Sequence, residues 1–158
     1  MPIQVGDALP SATLHEGSPK NTVDPREVLG SGRAVIFAVP GAFTPGCSKT
    51  HLPGYIEDHA ALAAKGIEQI ACVAVNDAFV MDAWGKAHGA EGKVRMWADP
   101  QGAFTRALGL DVDAAALGGL RSKRYALVLE DGKVTHLEVE PDGFGLTCSL
   151  ATSLLERL

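Results

Sequence analysis

Cysteine is the residue in this chain best suited to covalent chemistry, and its local sequence separates Cys47 from the other two cysteines, Cys72 and Cys148. Cys47 follows the apolar run 34–39 and the loop Pro40-Gly41-Ala42-Phe43-Thr44-Pro45-Gly46. Thr44 suits an N-cap, and Pro45 suits the first helical position, where a missing N–H costs nothing. Cys47 then falls in the first helical turn, among backbone N–H groups that have no partner within the helix. The positive end of a helix favours an anion, and the thiolate is the nucleophilic form of cysteine. The opposing reading, a small buried thiol packed at a strand-to-helix turn, is the ordinary fate of a cysteine; the helix start and the nearby threonine weigh against it.

Neighbouring chemistries fail on particular residues. The stretch from Gly41 to Ser48 nearly spells a phosphate-binding loop, but Cys47 stands where the lysine belongs and Pro45 removes a backbone donor. A dithiol oxidoreductase needs a cysteine at position 50, which is Thr50. His51 and His59 lie two turns apart on the expected helix, too far to share an ion, so the histidines read as surface or packing residues and no metal or cofactor is expected. Arg121, Lys123 and Arg124 form a cationic cluster at the entrance to a strand beginning at Tyr125. A guanidinium at a strand end can donate to two acceptors at once, although a solvated basic turn is the favoured reading of the cluster taken alone.

The elements that must position these groups follow from periodicity. Runs at 34–39, 67–75 and 94–98 read as buried strands, with helices expected between them from Pro45 and from the cap Asn76-Asp77, and a short helix after the third from 101 to 108. The helix after Cys47 should present Leu52, Tyr55, Ile56, His59, Leu62 and Ala63 inward, and the next Val80, Ala83, Trp84 and Ala87. Pro53 should loosen the turns that hold Cys47. A short edge strand is expected near 11–15, and Asp131-Gly132 marks a hairpin between 125–129 and 134–139. A closing helix is expected over 147–157 with Leu150, Leu154 and Leu155 inward; 111–120 carries no clear signal. The alternation predicts an α/β, thioredoxin-like fold: a central mixed sheet with helices on both faces.

At 158 residues, 46% apolar and 21% charged, one domain over 1–158 is expected, with a core that needs no disulfide staples. The net charge of −5 argues against a nucleic-acid or anionic-membrane surface. No signal peptide or membrane span is readable, and the cysteine pattern suits a reducing compartment. An intracellular, cytoplasmic protein is expected, with mitochondrial or peroxisomal forms left open.

Pro40-Gly41-Ala42-Phe43-Thr44-Pro45-Gly46-Cys47, Arg124 before an aromatic strand start, and Gly145-Leu146-Thr147-Cys148-Ser149-Leu150 together resemble the type-5 peroxiredoxins of the alkyl hydroperoxide reductase and thiol-specific antioxidant superfamily. The likeness extends through Val75-Asn76-Asp77-Ala78-Phe79-Val80 and Glu140-Pro141-Asp142-Gly143, and is strongest to the animal members. It implies a thiol-dependent peroxidase acting on hydrogen peroxide, alkyl hydroperoxides and peroxynitrite. Cys47 matches the peroxidatic cysteine, Thr44 and Arg124 its hydrogen-bonding partners, and Pro40 the residue shielding the pocket; the N–H groups of Gly46 and Cys47 would bind the substrate oxygen. Cys148 matches the animal-type resolving cysteine, whereas Cys72, 25 residues past Cys47, has the plant-type spacing. The resemblance further implies a homodimer and thioredoxin as reductant. Glutaredoxin or glutathione with a one-cysteine cycle, or a redox sensor that does not turn over, are the other readings.

Overall fold

The computed structural model describes residues 2–158. In chain order it contains β1 (Leu14–Glu16), β2 (Ser18–Val23), α1 (Pro25–Val28) and β3 (Arg33–Ala38), then a π-helical turn (Cys47–His51) continuing into α2 (Leu52–Glu57) and α3 (His59–Ala64). β4 (Ile67–Ala74), α4 (Ala78–His88), β5 (Arg95–Ala98) and α5 (Ala103–Leu108) follow. The last part comprises β6 (Asp111–Ala114), β7 (Gly119–Ser122), β8 (Tyr125–Glu130), β9 (Lys133–Val139) and α6 (Ala151–Arg157). Seven strands make one mixed sheet in the order β2-β1-β5-β4-β3-β8-β9, with β3, β4 and β5 parallel and β8 antiparallel to β3. This is the thioredoxin-like architecture expected from the alternation of elements.

β3 is apolar and buried from Ala34 to Ala38 because both its faces are covered there. Val35 and Phe37 pack with Cys47, Leu52, Tyr55 and Trp84 on one side. Ala34, Ile36 and Ala38 pack with Leu14, Trp97 and Phe104 on the other. The pleat of the central strand therefore assigns the Cys47 helix to one face. Asp131 and Gly132 both take left-handed backbone, φ 50° and 81°, which a tight hairpin turn requires.

Several boundaries differ from expectation. The edge strand begins at Leu14 and forms a hairpin with β2, and the silent stretch 111–120 lies in the β6–β7 hairpin. α4 turns Ala78, Met81, Trp84 and Gly85 inward while Ala83 and Ala87 are exposed; a side chain at Gly85 would stand 2.6 Å from Met96 Cγ, so the helix meets β5 across a glycine. Ala63 is likewise exposed. α6 starts at Ala151 rather than 147, because Thr147 and Ser149 bind the Glu140 carboxylate instead of a helical ladder. Among the described residues, no helix is long and apolar enough to cross a membrane.

Candidate active site

The chain leaves β3 at Ala38, passes buried Pro40 and turns sharply at Phe43, whose φ of 63° is unusual for a residue with a side chain. That turn brings the Gly41 carbonyl within reach of Thr44, whose Oγ1 donates to it at 2.7 Å. Thr44 precedes the first helical residue, but its hydroxyl is engaged by Gly41 instead of capping the helix. Ser48 N–H donates to the Thr44 carbonyl at 2.9 Å, which leaves the N–H groups of Gly46 and Cys47 ahead of the first helical hydrogen bond. Pro53 has no N–H with which to continue the ladder, and immediately before α2 the helix widens to a π turn in which Leu52 N–H reaches the Cys47 carbonyl.

Arg124 comes to this turn from the neighbouring strand: β8 runs antiparallel to β3 and its first residue, Tyr125, pairs with Ala38, so Arg124 lies at the same sheet end from which the Cys47 loop departs. Only 4% exposed, it donates through Nε to the Phe144 carbonyl at 3.2 Å and through Nη1 to His51 Nδ1 at 3.0 Å. Its Nη2 faces the helix start: a side chain at Gly46 would sit 3.4 Å from it and 3.2 Å from Leu146 Cδ1. Glycine at 46 therefore lets a cation and an apolar side chain close on the backbone next to Cys47. Lys123 has a different place, packed beside Gly143, and Arg121 donates to the carbonyls of Pro40 and Leu117 at 3.4 and 2.7 Å.

His51, read from sequence as surface or packing, is fully buried at the centre of this arrangement. A guanidinium can only donate, so Nδ1 accepts and Nε2 carries the proton that goes to the Ser149 carbonyl at 3.1 Å. Burial first, and the Arg124 charge second, push the His51 pKa down to about 3, against the opposing influence of the Ser149 carbonyl and Glu140; the ring is neutral. Tyr55, stacked on Phe37 at 4.0 Å, donates to the same Ser149 carbonyl at 2.8 Å. No local signal marks His51, because its partners lie 73 and 98 residues away in the chain.

The three thiols differ in setting. Cys47 and Cys72 are buried in one core cluster, and Cys148 is partly exposed. Burial pushes the Cys72 thiol well up, and nearby Cys47 adds to this. Burial and then Glu140 push Cys148 up as well. A cavity of about 230 Å³, lined by Lys49, Pro53, Gly54, Leu150 and Ala151 among others, separates the Cys47 helix from the start of α6. Among the described residues, no cluster of His, Cys, Asp and Glu is arranged to hold a metal ion.

The Redoxin family matches residues 4–152. The chain is 47% identical to the chloroplastic peroxiredoxin-2E-2 of Oryza sativa subsp. japonica, over 99% of this chain and 72% of that protein. Reduced Prx3 of Vibrio vulnificus, solved in complex with hydrogen peroxide, is 48% identical with a TM-score of 0.92 and 99% of each chain covered. Peroxiredoxin 5 of Alvinella pompejana is 41% identical with a TM-score of 0.85, covering 99% of this chain and 100% of its own. Sequence and fold agree from one end to the other, and the chain belongs to the peroxiredoxins of the Redoxin family, in the type-5 group, and is a thiol-dependent peroxidase.

Proposed function

We propose that Cys47 is the peroxidatic thiolate, served by Thr44, Arg124 and the N–H groups of Gly46 and Cys47, with Pro40 walling the pocket. The observation that carries this reading is the buried Arg124 guanidinium set against Gly46 at the start of the Cys47 helix. The Cys47 sulfur attacks the nearer oxygen of a peroxide; the O–O bond breaks and its electron pair leaves with the far oxygen as hydroxide or alkoxide, which a proton converts to water or alcohol. Charge develops on the departing oxygen where Arg124 and the free N–H groups can meet it. Hydrogen peroxide and alkyl hydroperoxides are the substrates, with peroxynitrite a third. Since Cys47 is fully buried at rest, peroxide reaches the sulfur only when the surrounding side chains part.

The resulting sulfenic acid condenses with a second thiol, losing water to form a disulfide. Cys148 is that thiol: it is partly exposed and lies on a turn rather than in the sheet. Cys72 is held in β4 between Phe37 and Met96, and joining it would break the sheet register. A Cys47–Cys72 bridge is the second reading, favoured by the shared core cluster of these two thiols. Thioredoxin reduces the bridge, and the enzyme works as a homodimer.

NADPH-coupled turnover with thioredoxin or with glutaredoxin and glutathione, on wild type and variants, tests the scheme. Cys47→Ser is expected to abolish activity, and Arg124→Ala to lower it by about two orders of magnitude, the scale of losing one charge-stabilising donor. Turnover by Cys47→Ser would remove the assignment. Mass spectrometry of peroxide-treated protein should find the Cys47–Cys148 bridge; Cys47–Cys72 instead would establish the second reading, and glutathione-supported turnover insensitive to Cys148→Ser would establish a one-cysteine cycle.

A further inference from the structure

Glu140 is 1% exposed, and none of the ion pairs among the described residues includes it. Its carboxylate is held entirely by neutral donors from one short stretch. Oε1 accepts from Thr147 Oγ1 at 2.5 Å; Oε2 accepts from Thr147 N–H at 2.9 Å, Ser149 N–H at 2.8 Å and Ser149 Oγ at 2.5 Å. Gly145 admits this wrap, since a side chain there would stand 3.0 Å from Glu140 Oε1. A buried carboxylate without a cation is costly unless its lone pairs are satisfied, and here they are satisfied by the turn that carries Cys148.

The clasp also sets a direction. With the N–H and hydroxyl of Ser149 held by the carboxylate, the Ser149 carbonyl is presented to the core, where His51 Nε2 and Tyr55 OH fill both its lone pairs. The same histidine ring accepts from Arg124 on its other nitrogen. The two ends of this chain meet again through the backbone: Glu140 N–H donates to the Arg124 carbonyl at 3.0 Å, and Arg124 N–H to the Gly143 carbonyl at 2.7 Å.

We propose that Glu140 is a positioning residue for Arg124: acting through the Ser149 carbonyl and the His51 ring, it aligns the guanidinium against Gly46 only while the Cys148 turn is seated. Cys148 stands between the two clasped residues, so drawing it toward Cys47 breaks the clasp, takes the acceptor away from His51 and frees the arginine. The pocket then regains its aligned cation only after the bridge is reduced and the turn reseats. The inference rests on the reading of Arg124 as the cation at the peroxide.

The test is the rate at which hydrogen peroxide oxidises Cys47 in a single turnover, followed by tryptophan fluorescence, to which Trp84 contributes through its 2.9 Å bond to Ser48. Glu140→Gln is expected to slow this step by about tenfold, within the roughly hundredfold that a 1 Å misplacement can cost. In an Arg124→Ala background the same substitution is expected to change nothing. An unchanged rate with Arg124 present, or the same loss in its absence, overturns the proposal. A full rate in Arg124→Ala alone overturns the reading beneath it, a distinguishable result. Ser149→Ala deletes one hydroxyl of the clasp and keeps the backbone donors, so it serves if Glu140→Gln does not fold: a smaller loss that requires Arg124 is expected, and a loss independent of Arg124 overturns the proposal.

Discussion

His51 and Glu140 are both titratable and both buried, and their linkage to folding runs the same way. The folded pKa of His51 is depressed to about 3 from 6.5, chiefly by burial and then by Arg124, so its contribution to stability is complete above pH 6.5 and is lost as pH falls toward 3. Burial pushes the Glu140 carboxyl up, but the donors from Ser149 and Thr147 outweigh it and bring the pKa from 4.5 to about 2, so its contribution is complete above pH 4.5 and fades toward 2. Of these two, His51 alone acts between pH 6.5 and 4.5. Denaturant unfolding across that window should show wild type losing stability with falling pH and His51→Gln losing less; parallel slopes would mean that the ring is not held neutral. None of this is readable from the stretch around His51, which looks like a polar residue on a helix. Cys47 and its loop are readable because the turn, the proline and the threonine that shape them are contiguous, whereas the histidine depends on a carbonyl and a guanidinium contributed by distant strands and turns.

At the scale of elements, the segment that must change shape is the π turn and α2. Pro53 interrupts the helical ladder there, and the cavity toward α6 leaves that side of the helix thinly packed. Gly54 adds to the looseness: it is helical, and a side chain placed on it would meet nothing within 4 Å. Gly54→Ala should therefore strengthen α2 by about 1 kcal/mol without a clash. If unwinding of these turns precedes bridging, the same substitution should slow disulfide formation by about fivefold, as that energy converts through the activation barrier. Quenched non-reducing electrophoresis against time would read it, alongside thermal unfolding. A higher melting temperature with an unchanged bridging rate would show that α2 stays folded during resolution. Sequence periodicity located β3, β4, the Asp77 cap and the Asp131-Gly132 hairpin because each is decided by local pattern or turn chemistry. It misplaced the start of α6, where Glu140 outcompetes the helix for Thr147 and Ser149, and it missed the β6–β7 hairpin, whose strands are four residues each and whose connection is built largely of small residues without a turn signature.

At the scale of the whole molecule, the surface beside the Cys47 loop carries two large exposed aromatic side chains. Phe43 and Phe79 are 55% and 66% exposed, and their segments are tied together by the 2.9 Å bond from Ala42 N–H to Asn76 Oδ1. Phe43 is held outward by a left-handed backbone that costs on the order of 1–3 kcal/mol, a strain characteristic of functional surfaces. A second copy of the chain is the occupant proposed for this face. In a twofold dimer each ring is used twice, and burying the exposed part of one phenylalanine contributes about 2–3 kcal/mol. Replacing Phe79 by Glu removes that gain at two places and sets a buried charge in each. Sedimentation velocity should therefore find wild type dimeric at micromolar concentration and Phe79→Glu dissociating at least about a hundredfold more readily. Since the Cys47 loop is fixed to Asn76 within one protomer, the variant should keep measurable single-turnover oxidation of Cys47 even as a monomer. A wild-type protein that stays monomeric across that range, or a Phe79→Glu variant that dimerises as well as wild type, would show that the face is not the interface.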